Sequence, residues 1–134
     1  CKQNHKPFVA SHSNARAMTP HSRNMTDEMI RALADCGGAM GLNFCAAFLS
    51  PDIHSRDSRI DDMVRHMKHI KNVGGIDCMA LGGDLDGTGG NLEIDRVDKV
   101  PLLLERLNRE GFTADELDRI ASENVLRVIG DVLK

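Results

Sequence analysis

A chain of 134 residues, 41% hydrophobic and 28% charged, is long enough for one packed core of ordinary globular composition, which argues against disorder. It is too short for a whole (β/α)8 barrel, which typically needs about 250 residues. A net charge of −3 and four aromatic residues, all phenylalanine, give no pull toward nucleic acid and nothing for base stacking, so no nucleic-acid partner is expected.

The first apolar run, Pro7-Phe8-Val9-Ala10, ends in Ser11-His12-Ser13 and reads as a buried strand that delivers a histidine at its carboxyl end. Thr26 then caps a short amphipathic helix whose first turn carries Asp27 and Glu28. Met29, Ile30, Leu33 and Ala34 share one of its faces, and Gly37-Gly38 is its stop. A second strand, about residues 38–44, is apolar on both faces, as expected for a strand covered on both sides.

After a loop through Pro51, Ile60, Met63, Val64, Met67 and Ile70 recur at helical spacing until Gly74-Gly75. A third strand, about residues 77–83, leads into Gly82-Gly83-Asp84-Leu85-Asp86-Gly87 and a glycine-rich loop over residues 86–90. Pro101 suits the first turn of a helix carrying Leu103, Leu104 and Leu107 that stops at Gly111. Thr113-Ala114-Asp115-Glu116 is a capping box, and Leu117, Ile120, Val125, Val128, Ile129 and Val132 continue as a helical stripe. The order β-α-β-α-β-α-α implies parallel strands joined by right-handed crossovers, with residues 1–134 treated as one unit.

Cys1, Cys36, Cys45 and Cys78 are widely spaced with no C-x-x-C pair, so reduced, mostly buried thiols are expected rather than a disulfide scaffold or a thiolate zinc site. No run approaches the roughly 20 apolar residues of a membrane span and no signal-peptide core opens the chain. A soluble product is therefore expected, with a cytoplasmic location favoured over export. Cys1 in the place of an initiator methionine reads as trimming, and a lost segment would take any such signal with it.

Three positions can carry chemistry. His12, at a strand end, is a candidate zinc ligand, against the competing reading of a hydrogen-bonded structural histidine. Arg23, in the loop after the first strand, can grip a substrate carboxylate with two parallel hydrogen bonds, against that of a solvated surface side chain. Asp84 and Asp86 close the third strand, where an acid can accept a proton from metal-bound water, although Asp-Gly is also an ordinary turn. Calcium is a weaker alternative for Asp84, Asp86, Thr88, Gly89 and Asp95, because a strand precedes the loop where an EF-hand needs a helix. His66 and His69 are placed on the polar side of their helix, solvated, and His5, His21 and His54 at the surface. Met25, Met29, Met40, Met63 and Met67 are assigned to the core.

Ser11-His12-Ser13-Asn14-Ala15-Arg16, Ser22-Arg23-Asn24, Gly41-Leu42-Asn43-Phe44, Gly82-Gly83-Asp84-Leu85-Asp86-Gly87 and Asn124-Val125-Leu126-Arg127-Val128 together resemble, in order and spacing, the carboxyl-terminal part of the membrane (renal) dipeptidase family of amidohydrolase-like (β/α)8 barrels. The resemblance covers nearly the whole chain. It implies an α/β fold made of the last three β/α units of that barrel plus a carboxyl-terminal helix. It also implies hydrolysis of dipeptides at a binuclear zinc centre, with His12 as a ligand of the second zinc. On the same pattern Arg23 binds the substrate carboxylate, and Asp84 serves as the acidic residue of the last strand in both substrate binding and proton transfer. The family's His-x-Asp, bridging Glu and other zinc-binding His belong upstream of Cys1, so the chain alone is expected to be inactive. The alternative is a non-catalytic binding or assembly module derived from the barrel end. Open strand edges predict self-association or pairing with a complementary fragment.

Overall fold

Thr26 accepts the Met29 amide at 3.3 Å and opens α1 (Asp27–Asp35), with Asp27 and Glu28 against the positive end of the helix dipole. The computed structural model describes residues 6–52 and 54–133. In it α1 follows β1 (Val9–Ala10) and precedes β2 (Ala39–Leu42), while α3 (Ile60–Gly74) precedes β4 (Met79–Leu81). The three strands form a parallel sheet in the order β1-β2-β4, with Val9 opposite Ala39 and Met40 opposite Met79. The fold is α/β with parallel strands, as the alternation of elements requires.

The hydrogen-bond ladder runs past the strand ends. Ser13 N–H donates to Gly41 O at 2.8 Å, Gly82 N–H to Leu42 O at 3.1 Å and Phe44 N–H to Gly83 O at 3.3 Å. The longer runs read from sequence, 38–44 and 77–83, therefore reflect real pairing at their carboxyl ends, whereas the amino-terminal end of the third run is a 3-10 turn (Ile76–Cys78). All four residues of β2 are buried, consistent with a strand covered on both faces.

Two connections carry structure that periodicity could not reveal. The loop after β2 contains α2 (Ala46–Leu49) and β3 (Asp57–Ser58), and the loop after β4 contains β5 (Asn91–Leu92), which pairs parallel to β3. Strands of only two residues leave no alternating signal. Glu93, just beyond β5, accepts the Ile60 amide at 2.7 Å and so caps α3 from the other loop.

The core gathers Ile30 and Leu33 of α1, Met40 and Leu42 of β2, Met63, Met67 and Ile70 of α3, Met79 of β4 and Leu103, Leu107 and Ile120 from the helices beyond. Met29 is a correction: it is half exposed at 50% and lies outside that core. His66 is another, fully buried rather than solvated. It stands three residues after Met63 and one before Met67, inside the apolar stripe. His69 is likewise held, its Nε2 at 2.7 Å from Asp27 Oδ1, which ties α3 to α1.

Pro101 lies in the first turn of α4 (Val100–Arg109), and Thr113 forms both bonds of the capping box that opens α5 (Ala114–Asp118). The expected single stripe is then interrupted by a π turn at Arg119–Glu123 before α6 (Asn124–Val132). The extra residue rotates the face, so Asn124 and Val128 turn inward and Ile129 and Val132 are exposed. Asn124 Nδ2 donates to Ile76 O and Met79 O, both at 2.8 Å, and Arg127 donates to Gly37 O and Asp77 O at 2.6 and 2.8 Å. Polar staples thus fasten this helix beneath the entries of β2 and β4.

Cys36, Cys45 and Cys78 are free thiols, the first two half-buried and Cys78 buried. Burial pushes the Cys78 thiol up to about 11, which leaves it unreactive at neutral pH. Cys1 and His5 lie outside the described residues. Among the described residues no helix is long and apolar enough to cross a membrane.

Candidate active site

The carboxyl ends of β1, β2 and β4 open on one edge, which is where a parallel sheet places its functional groups. His12 follows β1, Asn43 follows β2 and Asp84 follows β4. The edge is tightly built, because Ser11 crosses the ends of the other two strands. A Cβ added at Gly82 would stand 1.9 Å from Ser11 O, and one at Gly41 would stand 2.3 Å from it.

His12 is exposed, and both ring nitrogens are engaged: Nδ1 lies 2.6 Å from Ser11 Oγ and Nε2 lies 3.1 Å from Arg23 Nη2. A guanidinium only donates, so Nε2 must accept and the ring proton sits on Nδ1, donated to the serine hydroxyl. That neutral tautomer, with the lone pair on Nε2, is the form that can ligate a metal, although here the lone pair is taken by Arg23.

Arg23 is exposed yet held. Its carbonyl accepts Ser13 Oγ at 2.8 Å, and its guanidinium carbon lies 5.0 Å from the centroid of the Phe48 ring. The loop beneath it is braced by Arg16, which donates to Asn24 O at 2.8 Å and Ser22 O at 2.7 Å. Asn24 Nδ2 in turn reaches Thr19 O and Phe48 O, both at 2.9 Å. His21 packs its ring on Phe48 with centroids 4.7 Å apart and accepts the Arg23 amide at 3.1 Å, so it is half-buried scaffolding rather than a plain surface residue. His54 is exposed, as expected.

Asp84 adopts a φ of 55° in the left-handed region, uncommon outside glycine and tolerated by a short polar side chain. Its Oδ2 accepts Asn43 Nδ2 at 3.3 Å. Asn43 is itself locked, its main chain paired with the Asn14 amide (N–H to Oδ1 at 2.8 Å, O from Nδ2 at 2.9 Å) and its Oδ1 accepting Cys45 N–H at 2.7 Å. Asn14 and Asn43 stand in the motifs quoted above, but spacing alone assigns them no role. Their signal is an asparagine at the end of an apolar run. Asp86 is exposed in the following turn and Asp95 pairs with Lys99 at 2.7 Å, and among the described residues the acids of the calcium alternative do not gather into a group of three.

Behind the edge, His66 of α3 joins the two loops. Its Nδ1 accepts the Ala15 amide at 3.1 Å, which requires the proton on Nε2. That nitrogen lies 3.1 Å from Leu49 O and 3.2 Å from the Thr19 hydroxyl. Burial lowers its pKa to about 4, so the ring is neutral. Asn24 Oδ1 is a buried acceptor with no protein partner, beside this network.

Among the described residues no group of three or more His, Cys, Asp or Glu side chains could hold a metal ion. The edge supplies one imidazole whose lone pair faces a guanidinium. These residues by themselves do not fit a metal centre.

Comparison with known proteins gives this geometry a context. The profile of the family described as "Membrane dipeptidase (Peptidase family M19)" matches residues 2–134. An uncharacterised protein from the region 5′ of pqqA in Klebsiella pneumoniae is 40% identical over 127 residues, 94% of this chain and 47% of that protein. An uncharacterised dipeptidase of Schizosaccharomyces pombe is 38% identical over 124 residues, 91% of this chain and 30% of its own length. The crystal structure of a metallopeptidase from Rhodobacter sphaeroides, liganded with a phosphinate mimic of the dipeptide L-Ala-D-Ala, superposes with a TM-score of 0.87 at 31% identity. The match covers 94% of this chain and 36% of that one. The chain thus spans about half the length of the first relative and about a third of the other two.

Proposed function

The chain belongs to the membrane dipeptidase family, and from that premise we propose that it forms the last three β/α units, with a terminal helix, of a (β/α)8 barrel that hydrolyses dipeptides with zinc. The observation that carries this reading is that Arg23 and His12 meet after β1 while Asp84 follows β4, with Arg23 and Asp84 both held by residues after β2, Phe48 and Asn43. The phosphinate dipeptide mimic bound by the Rhodobacter relative supports a short peptide as substrate.

In this reading the Arg23 guanidinium turns from His12 to the C-terminal carboxylate of the substrate and grips it with two parallel hydrogen bonds. Asp84 faces the other end, pairing with the substrate ammonium and carrying a proton from the attacking water to the leaving amine. His12 would be one imidazole ligand of the zinc, through Nε2, in a centre that these residues do not complete by themselves, and the metal would there polarise the peptide carbonyl and activate water.

Steady-state kinetics of the full-length protein test the assignment. Arg23→Ala should raise KM about 10- to 100-fold, the worth of a charge-assisted pair. Asp84→Asn should lower kcat about 10²- to 10⁴-fold. An Arg23→Ala variant with unaltered KM would remove the anchor. The 134-residue chain incubated with a dipeptide and excess zinc should show no turnover, and robust hydrolysis there would overturn the placement of the other ligands.

A second reading, an assembly module, is favoured by the apolar side chains left exposed on α6, Leu126 and Ile129, together with Phe8 and Val9 at the edge of the sheet. It predicts pairing with a complementary segment or a second copy.

A further inference from the structure

Phe48 belongs to the loop after β2, yet it contacts the segment that carries Arg23 in several independent ways. Its carbonyl accepts the side-chain amides of Asn14 at 3.3 Å and Asn24 at 2.9 Å. Its ring packs on His21 and lies under the Arg23 guanidinium, 5.0 Å from centroid to Cζ. The backbone of Phe48 is therefore bolted to the Arg23 loop, and its ring is the surface against which the guanidinium rests.

An aromatic face attracts a cation through its quadrupole and takes none of the guanidinium's five N–H donors. A carboxylate in the same place would consume the two parallel donors that a substrate carboxylate needs. The seat thus limits where the guanidinium can go without itself using any of its N–H donors, of which Nη2 is engaged by His12 Nε2 at 3.1 Å. A flexible arginine loses rotamer freedom when it binds, and a pre-seated one has less to lose.

We propose that Phe48 is the positioning residue of Arg23 and thereby sets the affinity for substrates bearing a free C-terminal carboxylate. The proposal rests on Arg23 being the carboxylate anchor. Phe48→Leu keeps an apolar side chain of similar bulk and removes the aromatic face, whereas Phe48→Trp keeps the face.

In the full-length, metal-loaded protein Phe48→Leu should raise KM for a dipeptide about two- to fivefold, the range of an exposed cation–π contact, with the loss falling on KM rather than kcat. Phe48→Trp should restore KM. In the 134-residue chain, the Arg23 Hδ protons should be shifted upfield by the ring in the wild type and in Phe48→Trp, and not in Phe48→Leu. An unshifted Arg23 in the wild type, or a Phe48→Leu variant whose KM is unmoved while Arg23→Ala raises it, overturns the role of Phe48 alone. A loss confined to kcat in Phe48→Leu also overturns it, as general disruption of packing. If Arg23→Ala itself leaves KM unmoved, the anchor reading fails first.

Discussion

His66 commits both ring nitrogens to main-chain groups of the two site loops, Ala15 N–H on one side and Leu49 O on the other. Protonation would put a second N–H on Nδ1, against the Ala15 amide, inside the core. The folded chain therefore refuses a proton until about pH 4, while the ordinary value is 6.5. Between those values the unfolded chain binds more protons. The stabilisation is whole above pH 6.5, declines as the pH falls, and is lost below about pH 4, a span of about 3 kcal/mol. Urea unfolding from pH 7 to 4 should show the midpoint falling more steeply in the wild type than in His66→Gln, and parallel profiles would reject this role for His66. The residue was legible in principle, since Met63, His66, Met67 and Ile70 share one helical face. A polar side chain on that face acquires its meaning only from the two loops it meets.

At the scale of elements, the sheet edge depends on how closely three strand ends approach. The absent side chain of Gly82 admits the Ser11 carbonyl, and Ser11 in turn holds the His12 ring. Gly82→Ala would force the two backbones apart at a point with no flexible neighbour to yield. It should cost about 2–3 kcal/mol in urea unfolding and shift the His12 ring resonances. An unchanged midpoint would show that the close approach is not required. The helices were readable because caps and stripes are local: Thr26, Pro101 and Thr113 each act within one turn. The β3–β5 pairing and the Glu93 cap of α3 were not, since each joins residues more than a turn or a hairpin apart. The π turn at Arg119–Glu123 escaped for another reason, because one inserted residue changes the face of a helix without changing its composition.

For the whole molecule, among the described residues β1 and β4 each pair with β2 alone within their sheet, and α6 and the residue after it expose Leu126, Ile129, Val132 and Leu133. Apolar side chains gathered at an open sheet and an unpartnered helix face favour association. The proposed pairing predicts concentration-dependent elution above the monomer position in size-exclusion chromatography, reduced by Leu126→Lys with Ile129→Lys. A sharp monomer peak throughout the concentration range would count against it. A matching segment from the longer relatives, added in trans, should shift the same equilibrium.

The amino-acid sequence by itself determined the alternation of strands and helices, the caps that start α1 and α5, the proline in the first turn of α4, and the polar residues at three strand ends. Each follows from side-chain pattern over a few neighbouring residues. It also carried the motifs that place the chain in its family. Only the tertiary structure decided how those ends work together. Asn43 meets Asp84 across 41 residues, Glu93 caps α3 across 33, and Ala15 meets His66 across 51. The tautomer of His12 and the seat of Arg23 on Phe48 belong to the same class. A hydrogen-bond donor or an aromatic face acquires a partner only when the chain has brought it one, and no local pattern records which partner that will be.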